Sequence, residues 1–389
     1  MHFVARGNRG RRSATECALV AFLALAGAYG PGRPVRAAEG PPVPQIAAIF
    51  TPFESRLEPG LAVLVRRNGR TVFKRGYGRR DLRCAAPIDA RSNFRLASCS
   101  KQFTALAVLL LVRDGKLRAD DRLTDVFPDF PAYGRTIALR HLLNHTSGLV
   151  AYEDLMDTIY AGKAWQEIPQ ISDAGVFDLM AKQSATRFPP GSAWEYSNSG
   201  YCVLARVVEK ASGMTFADFL RRRIFLPLNM RATVAFENGK STVKARAYGY
   251  TKDAGGWLET DQSPTSATLG DGGIYSSLDD LAQWDDALRR HTLLSEAEMQ
   301  PALTAAALPD NSRPLPKGPD GQPVQYGFGW FLNPYHGHAR MWHYGETIGF
   351  RSVIERFPAD GLTIIILANR TDLDPATLAL KVADLFLSP

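Results

Sequence analysis

The sequence predicts an α+β fold in two lobes: an antiparallel sheet built from N- and C-terminal strands and flanked by helices, with a mainly helical lobe inserted between them. Three observations lead there. Strand-like alternation lies near both ends of the chain, around 61–75 and 340–368, and is scarce in the middle. The middle carries helical spacing broken by Pro and Gly. A nearly all-apolar helix, Phe103 to Leu111, follows the first strands, and a helix apolar on every side belongs in the centre of a protein. The sheet lobe is placed at about 45–115 plus 325–389 and the helical lobe at about 116–324.

The first 37 residues read as a signal peptide. Six arginines (Arg6, Arg9, Arg11, Arg12, Arg33, Arg36) against Glu16 alone put most of the formal +7 charge there. An apolar run from Ala18 to Ala28 follows, too short for a comfortable bilayer span. Val35-Arg36-Ala37 fits a cleavage site, with Ala24-Leu25-Ala26 competing. A periplasmic or secreted protein without a stable membrane anchor is expected. The near-balanced remainder carries no basic stripe for nucleic acid. Removing the leader leaves Cys84, Cys99 and Cys202, an odd number without metal-site spacing.

Pro41, Pro42 and Pro44 read as a linker. Leu61–Arg66 and Thr71–Arg75 then alternate around Asn68-Gly69, the residue pair a tight hairpin turn favours. The apolar helix runs from Lys101 to Val112 and closes near Gly115. Helical spacing returns over Ile137–Asn144, Asp173–Lys182, Gly200–Ala211 and Phe216–Phe225. Ser277 with Asp280 makes a capping start for a helix toward Arg290. Arg340–His343, Phe350–Phe357 and Thr363–Ala368 read as strands, and Asp374-Pro375 opens a last helix.

Chemistry enters at Ser98-Cys99-Ser100-Lys101. Residues three apart share a helix face, so an ammonium sits beside a hydroxyl, and a serine so placed can act as a nucleophile without histidine. Ser241-Thr242-Val243-Lys244 has the same spacing in a polar stretch with no buried helix behind it. Cys99 points away from Ser98 and packs inward. His141 with His145, on one helix face, and His336 with His338 have metal-like spacing but no acidic partner where zinc peptidases place one. They read as structural or exposed, so neither metal nor cofactor is expected.

Phe94-Arg95-Leu96-Ala97-Ser98-Cys99-Ser100-Lys101-Gln102-Phe103-Thr104 resembles the nucleophile segment of the serine β-lactamase and penicillin-binding-protein superfamily. Its nearest likeness is the branch of class C β-lactamases, D-aminopeptidases, carboxylesterases and D-alanyl-D-alanine carboxypeptidases. Other segments agree in order: His141 to Leu149, Phe188-Pro189-Pro190-Gly191 before Tyr196-Ser197-Asn198, Gly272-Gly273-Ile274, Tyr326-Gly327-Phe328-Gly329-Trp330 and His343-Tyr344-Gly345. The resemblance implies that Ser98 forms an acyl-enzyme beside a charged Lys101. Tyr196 serves as general base, Asn198 bonds Lys101 and a substrate carbonyl, and His343 stands where relatives carry lysine. The backbone N–H groups of Ser98 and Glu346 form the oxyanion hole, and Tyr344 and Gly345 line the substrate.

His343-Tyr344-Gly345 replaces the Lys-Thr-Gly that commonly meets a substrate carboxylate, and Glu346 follows it. The substrate expected is therefore a small molecule or peptide of neutral ester, amide or amine-bearing type. A class C-type β-lactamase or D-Ala-D-Ala carboxypeptidase is the alternative, and a penicillin-recognising sensor that does not turn over is another. Oligomeric state is not legible.

Overall fold

The computed structural model describes residues 41–309 and 315–388, so the expected signal peptide lies outside the described residues. Seven antiparallel strands form the main sheet: β1 (Leu61–Arg67), β2 (Arg70–Tyr77), β3 (Gln325–Tyr326), β4 (Phe331–Leu332), β5 (Met341–Thr347), β6 (Phe350–Phe357) and β7 (Leu362–Ala368). Their order is β3-β4-β5-β6-β7-β1-β2, so the two ends of the chain meet where β1 pairs with β7. The β1–β2 hairpin turns at Asn68 and Gly69, with φ of 51° and 75°, as a two-residue reversal requires.

Strand alternation sends side chains to two apolar layers. Ala62 and Leu64 of β1 and Ile365 and Leu367 of β7 face the helical layer. There α2 (Lys101–Arg113) is buried along nearly its whole length, with α5 (Asn198–Ser212) and α6 (Leu278–Arg290). Leu61, Val63 and Val65 and Ile364 and Ile366 face the opposite layer, which α1 (Val43–Phe50) and α7 (Pro375–Ala383) cover. The middle of the chain adds α3 (Tyr152–Ile159) and α4 (Asp173–Ala181). Among the described residues no helix is long and apolar enough to cross a membrane.

Two local expectations change. The proline-rich stretch is the start of α1, with Pro42 at the N-cap and Pro44 in the first turn, where proline's missing N–H costs nothing. His141 and His145 do not share a helix face: the helix ends at Leu143, and His145 takes a left-handed φ of 64° beyond it.

Candidate active site

The nucleophile turn is held from three sides. Ala97–Ser100 is a tight helical turn that runs into α2, and Ala97 adopts φ 47°, a strained value for alanine that sets the entry angle of Ser98. Leu96 N–H donates to Ile274 O at 2.8 Å, and Ile274 N–H donates to Ser100 Oγ at 3.2 Å. From the sheet, Ser352 Oγ donates to Leu96 O at 2.7 Å and Cys99 Sγ donates to His343 O at 3.2 Å. Burial pushes the Cys99 thiol up to about 12, so it stays protonated and structural. Gly345 of β5 lies so close that a Cβ there would stand 2.1 Å from Leu96 O and 3.1 Å from Ser98 N.

Lys101 is 0% exposed and has three acceptors around its Nζ: Ser98 Oγ at 3.0 Å, Asn198 Oδ1 at 2.8 Å and Asp271 O at 2.9 Å. The Tyr196 and Tyr201 rings lie 4.8 and 5.4 Å from Nζ. Ser197 caps α5 by accepting Gly200 N–H, which puts Tyr196 and Asn198 on either side of the cap, both reaching the lysine. The Tyr196 hydroxyl also faces the Ser98 side chain. Burial lowers Lys101 to about 8 and raises the Tyr196 phenol well above its ordinary 10. The ammonium therefore loses its proton before the phenol does.

The five expected side chains come together, but His343 arrives in another state than a lysine would. It is fully buried; its Nδ1 donates to Tyr344 O at 2.6 Å, leaving Nε2 to accept from the Tyr326 hydroxyl at 2.8 Å. Desolvation and the neighbouring Lys101 lower its pKa to about 3, so the ring is neutral and cannot offer a charge to an anionic substrate. Tyr344, 42% exposed, stacks on Phe331 on the other face of β5. Glu346 points outward to Arg351 at 2.8 Å, so its carboxylate does not face the nucleophile. The short β4 pairs only with Met341 and Trp342, so among the described residues the His343–Thr347 edge of β5 has no strand neighbour on that side.

Sequence reasoning missed four contributors. Glu153, from α3, accepts Asn198 Nδ2 at 2.7 Å, so the amide that holds Lys101 is itself oriented by a carboxylate, whose pKa burial raises. Asp271 supplies a backbone acceptor to Lys101, and Tyr326 fixes the His343 tautomer. His145 is buried, accepts Ser197 N–H at 3.1 Å, and is kept well below its ordinary pKa by burial and by Lys101. The other histidines with metal-like spacing are engaged elsewhere: His141 accepts Ala138 N–H, His336 lies 3.4 Å from Asp384 and His338 2.9 Å from Asp360. Tyr326 and His145 stood out in the sequence only as members of motif segments, without these roles.

A serine bonded to a buried lysine, with a tyrosine and an asparagine at a helix cap and a strand edge alongside, defines a penicillin-binding-protein-like serine hydrolase. The chain belongs to the β-lactamase family, whose model matches residues 47–386. It is 32% identical over 337 residues to penicillin-binding protein 4* of Bacillus subtilis, covering 83% of this chain and 71% of that one. To a D-aminopeptidase of Cereibacter sphaeroides it is 28% identical over 319 residues, 80% of this chain but only 57% of the relative. Among solved structures, D-amino acid amidase from Ochrobactrum anthropi superposes with a TM-score of 0.72 at 25% identity, covering 88% of this chain and 97% of that one.

Proposed function

We propose that the protein hydrolyses ester or amide bonds through an acyl-serine intermediate on Ser98, with a neutral or amine-bearing acyl group as its substrate. The observation that carries this is Lys101 Nζ held 3.0 Å from Ser98 Oγ and 2.8 Å from Asn198 Oδ1 inside a buried pocket. With Nζ unprotonated, two N–H groups serve Asn198 and Asp271 and the lone pair faces the Ser98 proton. Ser98 Oγ attacks the carbonyl carbon as its proton passes to Nζ. The tetrahedral oxyanion lies against the N–H groups of Ser98 and Glu346. Collapse breaks the bond to the leaving amine or alkoxide, which takes that proton by way of the Tyr196 hydroxyl. Water then attacks the acyl-serine with the same groups in reverse, and the acid leaves.

Substrate class follows from charge. The neutral His343 offers nothing to a carboxylate, while Glu153, half-buried beside Asn198, offers an anion to an ammonium group. A D-amino amide or a short peptide with a free amine fits, in keeping with relatives named D-aminopeptidase and D-amino acid amidase. The basic, then apolar, N-terminal segment supports action outside the cytoplasm.

The test compares a short-chain p-nitrophenyl ester, an amino acid p-nitroanilide in both enantiomers and a chromogenic cephalosporin, with Ser98→Ala as control. Ester and anilide turnover that vanishes in the control is expected. Cephalosporin turnover of equal efficiency would overturn the substrate assignment, and activity retained in Ser98→Ala would overturn the nucleophile.

A further inference from the structure

Lys101 owes one of its three acceptors to a main-chain carbonyl, and that carbonyl sits in a turn with unusual anchoring. Residues 268–273 contain Gly270, Gly272 and Gly273, and a Cβ at Gly270 would stand 2.3 Å from Tyr201 O, so the turn is pressed onto α5. Asp173, the first residue of α4 and itself buried, accepts Leu269 N–H at 2.9 Å and Gly270 N–H at 3.1 Å, one on each carboxylate oxygen. The Cys202 thiol lies beside the same carboxylate. From α2, Thr104 Oγ1 donates to Gly270 O at 2.6 Å. One residue further on, Asp271 O receives Lys101 Nζ.

Asp173, Cys202 and Asp271 bring their ligand-type atoms within 4.8 Å of one another. With both Asp173 oxygens given to main-chain amides, the carboxylate works as an anchor for the turn. We propose that Asp173 is a positioning residue for Lys101: it grips the 269–270 amides and so fixes the turn that presents the Asp271 carbonyl to the lysine. This rests on the reading of Lys101 as the proton acceptor of Ser98.

Several groups face Lys101. Cys99 lies on its own turn, Cys202 and Tyr201 on α5, Glu153 on α3 and Asp271 on the glycine turn; Tyr196, His145 and His343 close the pocket. Drawing the Asp271 carbonyl away removes an acceptor from the ammonium and favours the free amine, so the Lys101 inflection moves to lower pH.

The experiment measures kcat and KM for ester hydrolysis against pH in Asp173→Asn and in Thr104→Val, with melting curves for both. Asp173→Asn is expected to lower the plateau kcat about tenfold, with KM nearly constant, the size of effect that losing one hydrogen bond to a charged group gives. Its inflection should move to lower pH. Thr104→Val changes no charge but loosens the same turn, so a shift of the same sign there reports position and not the lost anion. An unmoved inflection in Thr104→Val, or wild-type kcat in a cooperatively melting Asp173→Asn, would overturn the proposal; if Asp173→Asn does not fold, Thr104→Val decides. A parallel Ser98→Ala sample separates the two levels: hydrolysis surviving there removes the nucleophile reading and this proposal with it.

Discussion

Gly345 stands where the strand meets the nucleophile turn, and Gly345→Ala tests whether that contact sets the chemistry. A Cβ there would lie 2.1 Å from Leu96 O and 2.4 Å from Ser352 Oγ, against a limit near 3.0 Å that real Cβ contacts respect. The Ser352 hydroxyl can rotate; the Leu96 carbonyl belongs to the backbone and cannot. Strand and turn must therefore part by about 0.9 Å, the shortfall against that limit. Overpacking of this kind costs about 1–3 kcal/mol of stability. The larger effect falls on rate, because Ser98 N and Glu346 N lie on opposite sides of the gap that opens. A misplacement of about 1 Å costs about 10²-fold in turnover. The assay is ester hydrolysis at saturating substrate, with a melting curve on the same sample. A kcat within twofold of wild type would refute the claim that this contact spaces the oxyanion donors.

Three further outcomes follow from the site. Tyr196→Phe should lower kcat by about 10²-fold or more with little change in KM, by removal of a proton-transferring hydroxyl that faces Ser98; pre-steady-state burst kinetics will show which half-reaction slows. Because Lys101 is lowered to about 8 and acts as the free amine, kcat/KM should climb as pH rises toward that value and then level, and a profile that falls over this range would mean that the ammonium is the working form. His343, held near 3, binds a proton in the unfolded chain near 6.5 but not in the native one, so its own contribution to stability falls as pH falls from about 6.5 to 4. The buried acids Asp173 and Glu355, raised to about 7 and 8, act in the opposite sense, and the difference between wild type and His343→Gln isolates the histidine. Such a histidine contributes about 1.4 kcal/mol per pH unit, and melts across that range with a His343→Gln comparison will measure it.

What the sequence disclosed divides along physical lines. Ser98 with Lys101, and Tyr196 with Asn198, were legible because their geometry is local: one helix face in the first case, one helix cap in the second. The strands were legible as short β-branched and aromatic runs between turn residues, and β7 and all of β6 but Arg351 are buried. Glu153, Asp271 and Tyr326 were not, since each is a single residue whose partner lies far along the chain and whose role exists only after folding. His343 was found by position but not by state; residue type says that a ring can titrate, and only burial says that it stays neutral. Pro42 and Pro44 misled because proline forbids the interior of a helix while suiting its start, and composition alone does not say which.

The bare edge of β5 has a stereochemical consequence. On the proposed reading, an extended acyl group pinned by its carbonyl at His343–Thr347 would have two unlike sides, one closed by the Ser98 turn and the Lys101 pocket, the other flanked by the half-open Tyr344. Inverting the carbon next to that carbonyl exchanges which substituent meets the wall and which meets water. Handedness would then be read by the main-chain edge itself, before any pocket measures the size of the side chain.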